Sequence, residues 1–136
     1  MIVGTHTSHI TKISESEISQ KYLLATLGSS ADKINICDSG KLPIAIITDE
    51  ATTGDIVDIA LLGAPDTLNA VSNGAINAGD ILIPADGGKV QSLPPAGDSD
   101  ITYTMIGIAL SSTSTNNGVI EFISCVPQQY TVPAKA

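Results

Sequence analysis

The sequence predicts an all-β domain: a small β-barrel or β-sandwich of short antiparallel strands, carrying a loosely duplicated strand–turn–strand unit and an extended N-terminal arm. Three observations predict it. First, residues 43–63, PIAIITDEATTGDIVDIALLG, set two apolar runs either side of a polar bend. Ile44, Ile46 and Ile47 come before it, and Ile56, Val57, Ile59, Leu61 and Leu62 follow it. β-Branched residues in partial alternation about a Gly/Asp/Thr bend read as two antiparallel strands. Second, turn formers recur at short intervals, as in Asp38-Ser39-Gly40, Asn73-Gly74 and Gly87-Gly88. Asp bonds its own backbone and Gly tolerates positive φ, so such clusters reverse the chain.

Third, the two halves echo one another. Asp38-Ser39-Gly40-Lys41-Leu42 is matched by Asp86-Gly87-Gly88-Lys89-Val90. Ile44-Ala45-Ile46 is matched by Ile106-Gly107-Ile108, and Ile56-Val57-Asp58-Ile59 by Val119-Ile120-Glu121-Phe122. A Gly-Asp-apolar step also occurs twice, at Gly54-Asp55-Ile56 and Gly79-Asp80-Ile81. Either the unit is duplicated, with extra residues near 91–105 in the second copy, or β-meander patterning has converged. Both readings give many short strands spaced by turns, the mark of a small barrel or sandwich.

In order, residues 1–20 are rich in Ser and Thr, with isolated Ile10, Ile13 and Ile18 that define no convincing buried face. They read as an arm, flexible or extended, that orders against a partner; an ordinary first strand is the alternative. The β domain spans 21–127. Residues 22–27 form a short apolar strand ending at Gly28, and Lys33 to Cys37 the next. After Gly63, Thr67 to Val71 is a short strand or one helical turn, and Ala75-Ile76 starts a short helical turn. Ile81 to Ile83 is a strand at an edge or at its end, because Pro84 lacks an amide donor. Residues 91–101, rich in Pro, Gly and Asp, make the best protruding loop. Thr102 to Leu110 is a strand in which Gly107 marks a bulge or a close backbone approach. Gly118 to Val126 is the last strand, ended by Pro127, and 128–136 is a tail without periodicity.

Length and composition fit one domain. The 136 residues are 43% hydrophobic and 15% charged, unlike a disordered chain. With one Phe, three Tyr and no Trp, the core must be aliphatic. The net charge is −8 and there is no Arg, so counterion displacement from phosphates is poorly served. No nucleic-acid partner is expected, and no anionic membrane partner for the same reason. No signal peptide and no run near 20 apolar residues is evident, so the expectation is a soluble protein made in the cytoplasm. Cys37 and Cys125 make no metal-ligand spacing; they read as small buried residues or as a disulfide pair.

No catalytic motif stands out, and an enzyme is not expected. His6 and His9 lack further ligands and read as surface residues. Asp49, Glu50, Asp55 and Asp58 crowd one bend, which offers hard oxygens to Ca²⁺ but without EF-hand spacing. An exposed acidic bend is the plainer reading. No cofactor or metal is expected. Pieces of the chain, Gly40-Lys41-Leu42, Ile46 to Ala51 and Gly54 to Val57, are similar to biotinyl and lipoyl carrier domains. Glu50 stands where their modified lysine would be, so the carrier function fails. A soluble β-barrel binding module remains the alternative class, with few aromatic platforms to bind carbohydrate.

From about Lys21 to Val126 the chain resembles the small head-decoration, or capsid cement, proteins of tailed bacteriophages. The resemblance rests on Pro43-Ile44-Ala45-Ile46, Asp49-Glu50-Ala51, Gly54-Asp55 and Leu61-Leu62-Gly63. It continues through Gly74 to Asp80, Gly88-Lys89-Val90, Ile106 to Leu110 and Glu121. It implies a compact β domain, often a homotrimer, on the virion surface, where it bridges major capsid protein subunits and stabilises the shell. The arm and the 91–101 loop are then the candidate contacts, through Ile10, Ile13, Ile18, Leu93, Pro94 and Pro95.

Overall fold

The computed structural model describes residues 8–136. Among the described residues, ten strands form two five-stranded sheets. The first sheet is a closed barrel of β1 (His9–Ser14), β2 (Leu23–Leu27), β3 (Lys33–Ile36), β4 (Ala45–Ile47) and β5 (Ile56–Leu61). Its neighbours run β1-β3-β2-β4-β5, and β5 pairs back onto β1. Only β1 and β3 are parallel. The second sheet contains β6 (Thr67–Val71), β7 (Ile81–Pro84), β8 (Val90–Ser92), β9 (Ile101–Ala109) and β10 (Val119–Val132), in the order β6-β10-β9-β7-β8. The all-β prediction holds.

The duplication is real, and it is a duplication of topology. Cut between β1 and β3, the barrel reads β1-β5-β4-β2-β3, and every strand of the second sheet is the one five places further on. The registers agree as well. Ile46 faces Ala60 as Ile108 faces Ile123, and Ala25 faces Ile36 as Leu82 faces Ser92. Ser14 donates its N–H to Asp55 O at 2.8 Å and accepts from Gly54 N–H at 2.8 Å. Ser72 does the same with Gly118 O at 2.8 Å and Asn117 N–H at 2.9 Å. The second sheet curls toward closure through one parallel bridge, Ser72 to Val90, where the barrel has a two-residue parallel ladder.

The echo is therefore half right. The Ile44–Ile46 and Ile56–Ile59 matches fall on equivalent strands. The lysine match does not: Gly28 N–H reaches Lys33 O as Ala85 N–H reaches Lys89 O, so Lys89 corresponds to Lys33. The Gly-Asp steps are also not equivalent. Both are the same local turn, in which Asp55 caps Thr52 N–H and Asp80 caps Asn77 N–H, each at 2.9 Å. The extra length of the second copy lies mostly in the hairpin, where residues 101–105 pair with 128–132.

Two expected boundaries move. Residues 9–14, placed in the arm, are β1, laddered on β5 from His9–Ala60 to Ile13–Ile56. A strand held on both sides by backbone hydrogen bonds needs little apolar signal of its own. Residues 1–7 of the expected arm, including His6, lie outside the described residues. Pro127 does not end β10, which runs on to Val132 through a register shift between Ser124 and Gln128. A bulge is one of the few places where a strand accommodates proline. Most of the expected tail is thus strand. Thr67–Val71 is a strand, and Ile76 bridges Thr113 instead of starting a helical turn.

The core lies in two layers. Inside the barrel are Ile18, Leu23, Ala25, Ile34, Ala45, Ile47, Val57 and Ile59. The second layer joins the units: Leu24, Ile46 and Ala60 on the outside of the barrel pack with Leu82, Ile106, Ile120 and Phe122 of the second sheet. Turns lock the two together. Asp38 Oδ1 accepts Gly87 N–H at 2.8 Å, and Asp86 Oδ1 accepts Ser39 N–H at 3.1 Å. Gly88, buried at φ +77, presses against Leu23 and Ile36, where a Cβ would come within 2.9 Å of both. Gly107 makes the close approach expected of it: a Cβ there would collide with the Ile123 carbonyl and the Phe122 ring.

Candidate functional site

The acidic bend does not build a cation site. Asp49 Oδ1 accepts the N–H of Glu50 at 2.8 Å, and Asp55 Oδ2 accepts both the N–H and the hydroxyl of Thr52 at 2.9 Å. Asp58 Oδ2 meets the Thr48 hydroxyl at 2.9 Å and His9 Nδ1 at 2.7 Å. Each oxygen faces its own neighbourhood instead of a shared centre, and the described residues hold no cluster of three or more metal-ligating groups. The hydrogen bonds from the backbone N–H and hydroxyl of Thr52 hold the Asp55 carboxyl below its ordinary range. The Ser92 hydroxyl and Asn77 N–H do the same for Asp80. These carboxylates pin turns.

One surface cleft is polar. It takes in about 560 Å³ between Glu15, Ser16, Asn35, Asp38, Lys41 and Gly87. Glu15, one of its charged groups, is engaged: the N–H of Ser29 donates to Oε2 at 2.8 Å. Hydrogen bonding at Ser29 holds its carboxyl below the usual value.

The two cysteines are free. Cys37 is wholly buried, and burial together with the charge of Asp38 pushes its thiol up to about 11. Cys125 is half-buried on β10. Because the thiolate is the nucleophile, Cys37 will alkylate about a hundredfold more slowly at pH 8 than a thiol of ordinary pKa, from the thiolate fraction alone. Brief iodoacetamide treatment of the native protein, followed by peptide mass spectrometry, should find label on Cys125 first. Equal labelling would contradict the burial.

The predicted contact residues separate. Ile10 stands on β1 at 37% exposure, and Ile13 is half-buried further along the same strand. Ile18 is 1% exposed, bridged to Ala51 and part of the barrel core, so it is corrected from contact residue to core residue. Leu93 and Pro94 are half-buried and Pro95 is exposed. Their segment is tied down more than a protruding loop would be: Leu93 N–H donates to Ile81 O, Lys135 N–H to Gly97 O, and Ala134 N–H to Asp100 Oδ1. Ile10 and Ile13 lie in the barrel and Leu93 to Pro95 beside β8, so they belong to different sheets.

The sequence reading missed the outer face of the second sheet. Ile123 is 51% and Ile108 40% exposed, directly paired, and Ile81 pairs with Ile108 on the next strand. The signal was present in VIEFIS, where Phe122 and Ile123 put large apolar groups on both faces of one strand.

The described residues thus present two tandem β units, carboxylates engaged in turns and an exposed aliphatic sheet face. No protein-family model matches the chain. No curated protein sequence matches it. Among solved structures, it shares its fold with the N base of the head fiber gp8.5 of bacteriophage phi29, with a TM-score of 0.68 and 14% identity. The match covers 88% of this chain and 95% of that one.

Proposed function

We propose that this chain is a structural protein of a bacteriophage head that binds the outside of the capsid and bridges subunits of the major capsid protein. The observation that supports it best is the fold shared with the phi29 head-fiber base over nearly the whole of both chains. The resemblance to phage head-decoration proteins leads to the same class from the residues alone. In this reading the protein is made in the host cytoplasm and resides on the virion surface as a homotrimer. Ile10 and Ile13 on β1 and Leu93, Pro94 and Pro95 beside β8 face the capsid. It works by linkage: a protein that binds only the assembled shell stabilises that shell by mass action.

Capsids assembled without the protein supply the test. Added protein should co-sediment with them and raise the temperature at which they rupture. Replacing Ile10 and Leu93 together by Asp should weaken binding about tenfold or more, because charges would then enter a desolvated contact. Full occupancy by that variant would remove these residues from the contact. Absence of any binding by the wild-type chain would reject the reading.

A further inference from the structure

We infer that residues 1–7 lie along the open edge of β10 as an added antiparallel strand. The edge arises because β10 outruns β6. β6 enters at Thr67, opposite Ile123, while β10 continues to Val132. From Gln128 to Val132 it pairs regularly with Met105 to Ile101 of β9. Alternate residues of that stretch turn N–H and C=O away from β9. Among the described residues, no strand and no backbone hydrogen bond meets them on that side.

Folded chains protect such edges with charges, proline, bulges or a covering segment. Here Pro127 and the register shift sit at the start of the edge, between Ser124 and Gln128, and the ladder beyond is regular. No residue of 101–105 or 125–132 is charged, in a chain of net charge −8. The ribbon also has one apolar face. Ile101 pairs with Val132 and Tyr103 with Tyr130, while the hydroxyls of Thr102 and Thr131 meet at 2.8 Å on the other face. Two strands alone are marginal in water, and a third stabilises them. The β9 side of the ribbon is already faced, since Thr102 to Thr104 line a cleft with Ser39, Lys41 and Gln91. A covering segment is the remaining device, and β10 is its place.

The position of Ser8 names the occupant. Ser8 O accepts Leu61 N–H at 2.8 Å, and Ser8 Oγ donates to Asp66 Oδ2 at 2.8 Å. Leu61 and Asp66 bound the connection from β5 to β6, which is itself seated on β10. Gly63 N–H donates to Ser124 Oγ at 3.0 Å, and a Cβ on Gly63 would come 3.0 Å from Val126 N. The chain before Ser8 therefore leaves the fold beside the start of the open edge. With residue 7 at that start and residue 1 toward Val132, the added strand runs antiparallel to β10, in the same sense as β6. MIVGTHT suits the place. Ile2, Val3, Thr5 and Thr7 are β-branched, and none of the segment is acidic, so it approaches an acidic chain without repulsion. A strand from a second copy or from a foreign protein would use the same main-chain bonds, and the experiment separates these. The inference goes beyond the proposed function and does not depend on it.

Amide hydrogen exchange of the purified full chain, read by NMR at two protein concentrations, provides the test. In wild type, the amides between Gln128 and Val132 that turn away from β9 should be protected, equally at both concentrations. Two variants remove the added strand. One lacks residues 2–7. The other carries Val3→Pro and Gly4→Pro together, which removes two consecutive amides, one of them facing β10 in either register. In both variants those β10 amides should exchange about tenfold faster or more, while the amides of Val119 to Ile123, which β6 pairs, keep their rates. Protection that falls on dilution would assign the edge to a second copy and overturn the inference. Fast exchange in the purified wild type would overturn it and leave the edge to a foreign strand. Protection that neither variant lessens would overturn it as well.

Discussion

Replacing Phe122 by Ala will lower the free energy of unfolding by about 3–5 kcal/mol. Phe122 is the largest fully buried side chain among the described residues and the chain's only phenylalanine. It sits at the position that Ile59 holds in the barrel, on a strand equivalent to β5. The second sheet does not close as the barrel does, so a larger side chain fills its concavity, backed by Ile46 and Leu24 from the first unit. Gly107 makes room for the ring on the facing strand. Its loss opens a void bounded by both units, which therefore collapses poorly. For a domain of ordinary stability, about 5–15 kcal/mol, this is a large fraction of the total. Urea denaturation of wild type and variant checks it. A loss below about 1 kcal/mol would show that the units slide together to fill the space.

What was legible follows from what sequence patterns measure. Periodicity reports side-chain burial, so the β4–β5 hairpin, with apolar residues throughout and a Gly/Asp/Thr bend, was readable at nearly its observed limits. β1 was not, because HITKIS buries only its last residue fully and is fixed by ladders to β5 and β3. Ile18 misled for a related reason: alone in a polar segment, it reaches the barrel core through a single bridge to Ala51. The echo succeeded where matched residues are buried on equivalent strands. It failed at Asp-Ser-Gly-Lys and Gly-Asp because turn chemistry recurs wherever a chain reverses, whatever the fold around it. Pro127 was read from the missing donor alone, and the bulge that removes the need for that donor depends on the partner strand. The exposed pair of Ile108 and Ile123 could be recognised only once the registers of both units were known, since its meaning lies in the contrast with a buried counterpart, Ile46 and Ala60.

That contrast yields the sharpest stability prediction. Ile46→Lys and Ile108→Lys make the same chemical change at equivalent positions of the two units. Ile46 is buried between them at 1% exposure, beside Leu24 and Ala60. A lysine there must bury an unpaired ammonium or pry the second sheet off the barrel, and the expected cost is about 4 kcal/mol or more. Ile108 is 40% exposed, and a lysine can lay its stem along the sheet and put its charge in water, for a change within about 0.5 kcal/mol in the single chain. Thermal melts at concentrations where the Ile108 variant is a single chain separate the two, with dilute wild type as reference. Similar losses at both positions would mean that the second sheet's outer face is covered within the chain itself. A tolerated lysine at Ile46 would mean that the units do not pack through that face, and the contrast between them would lose its buried half.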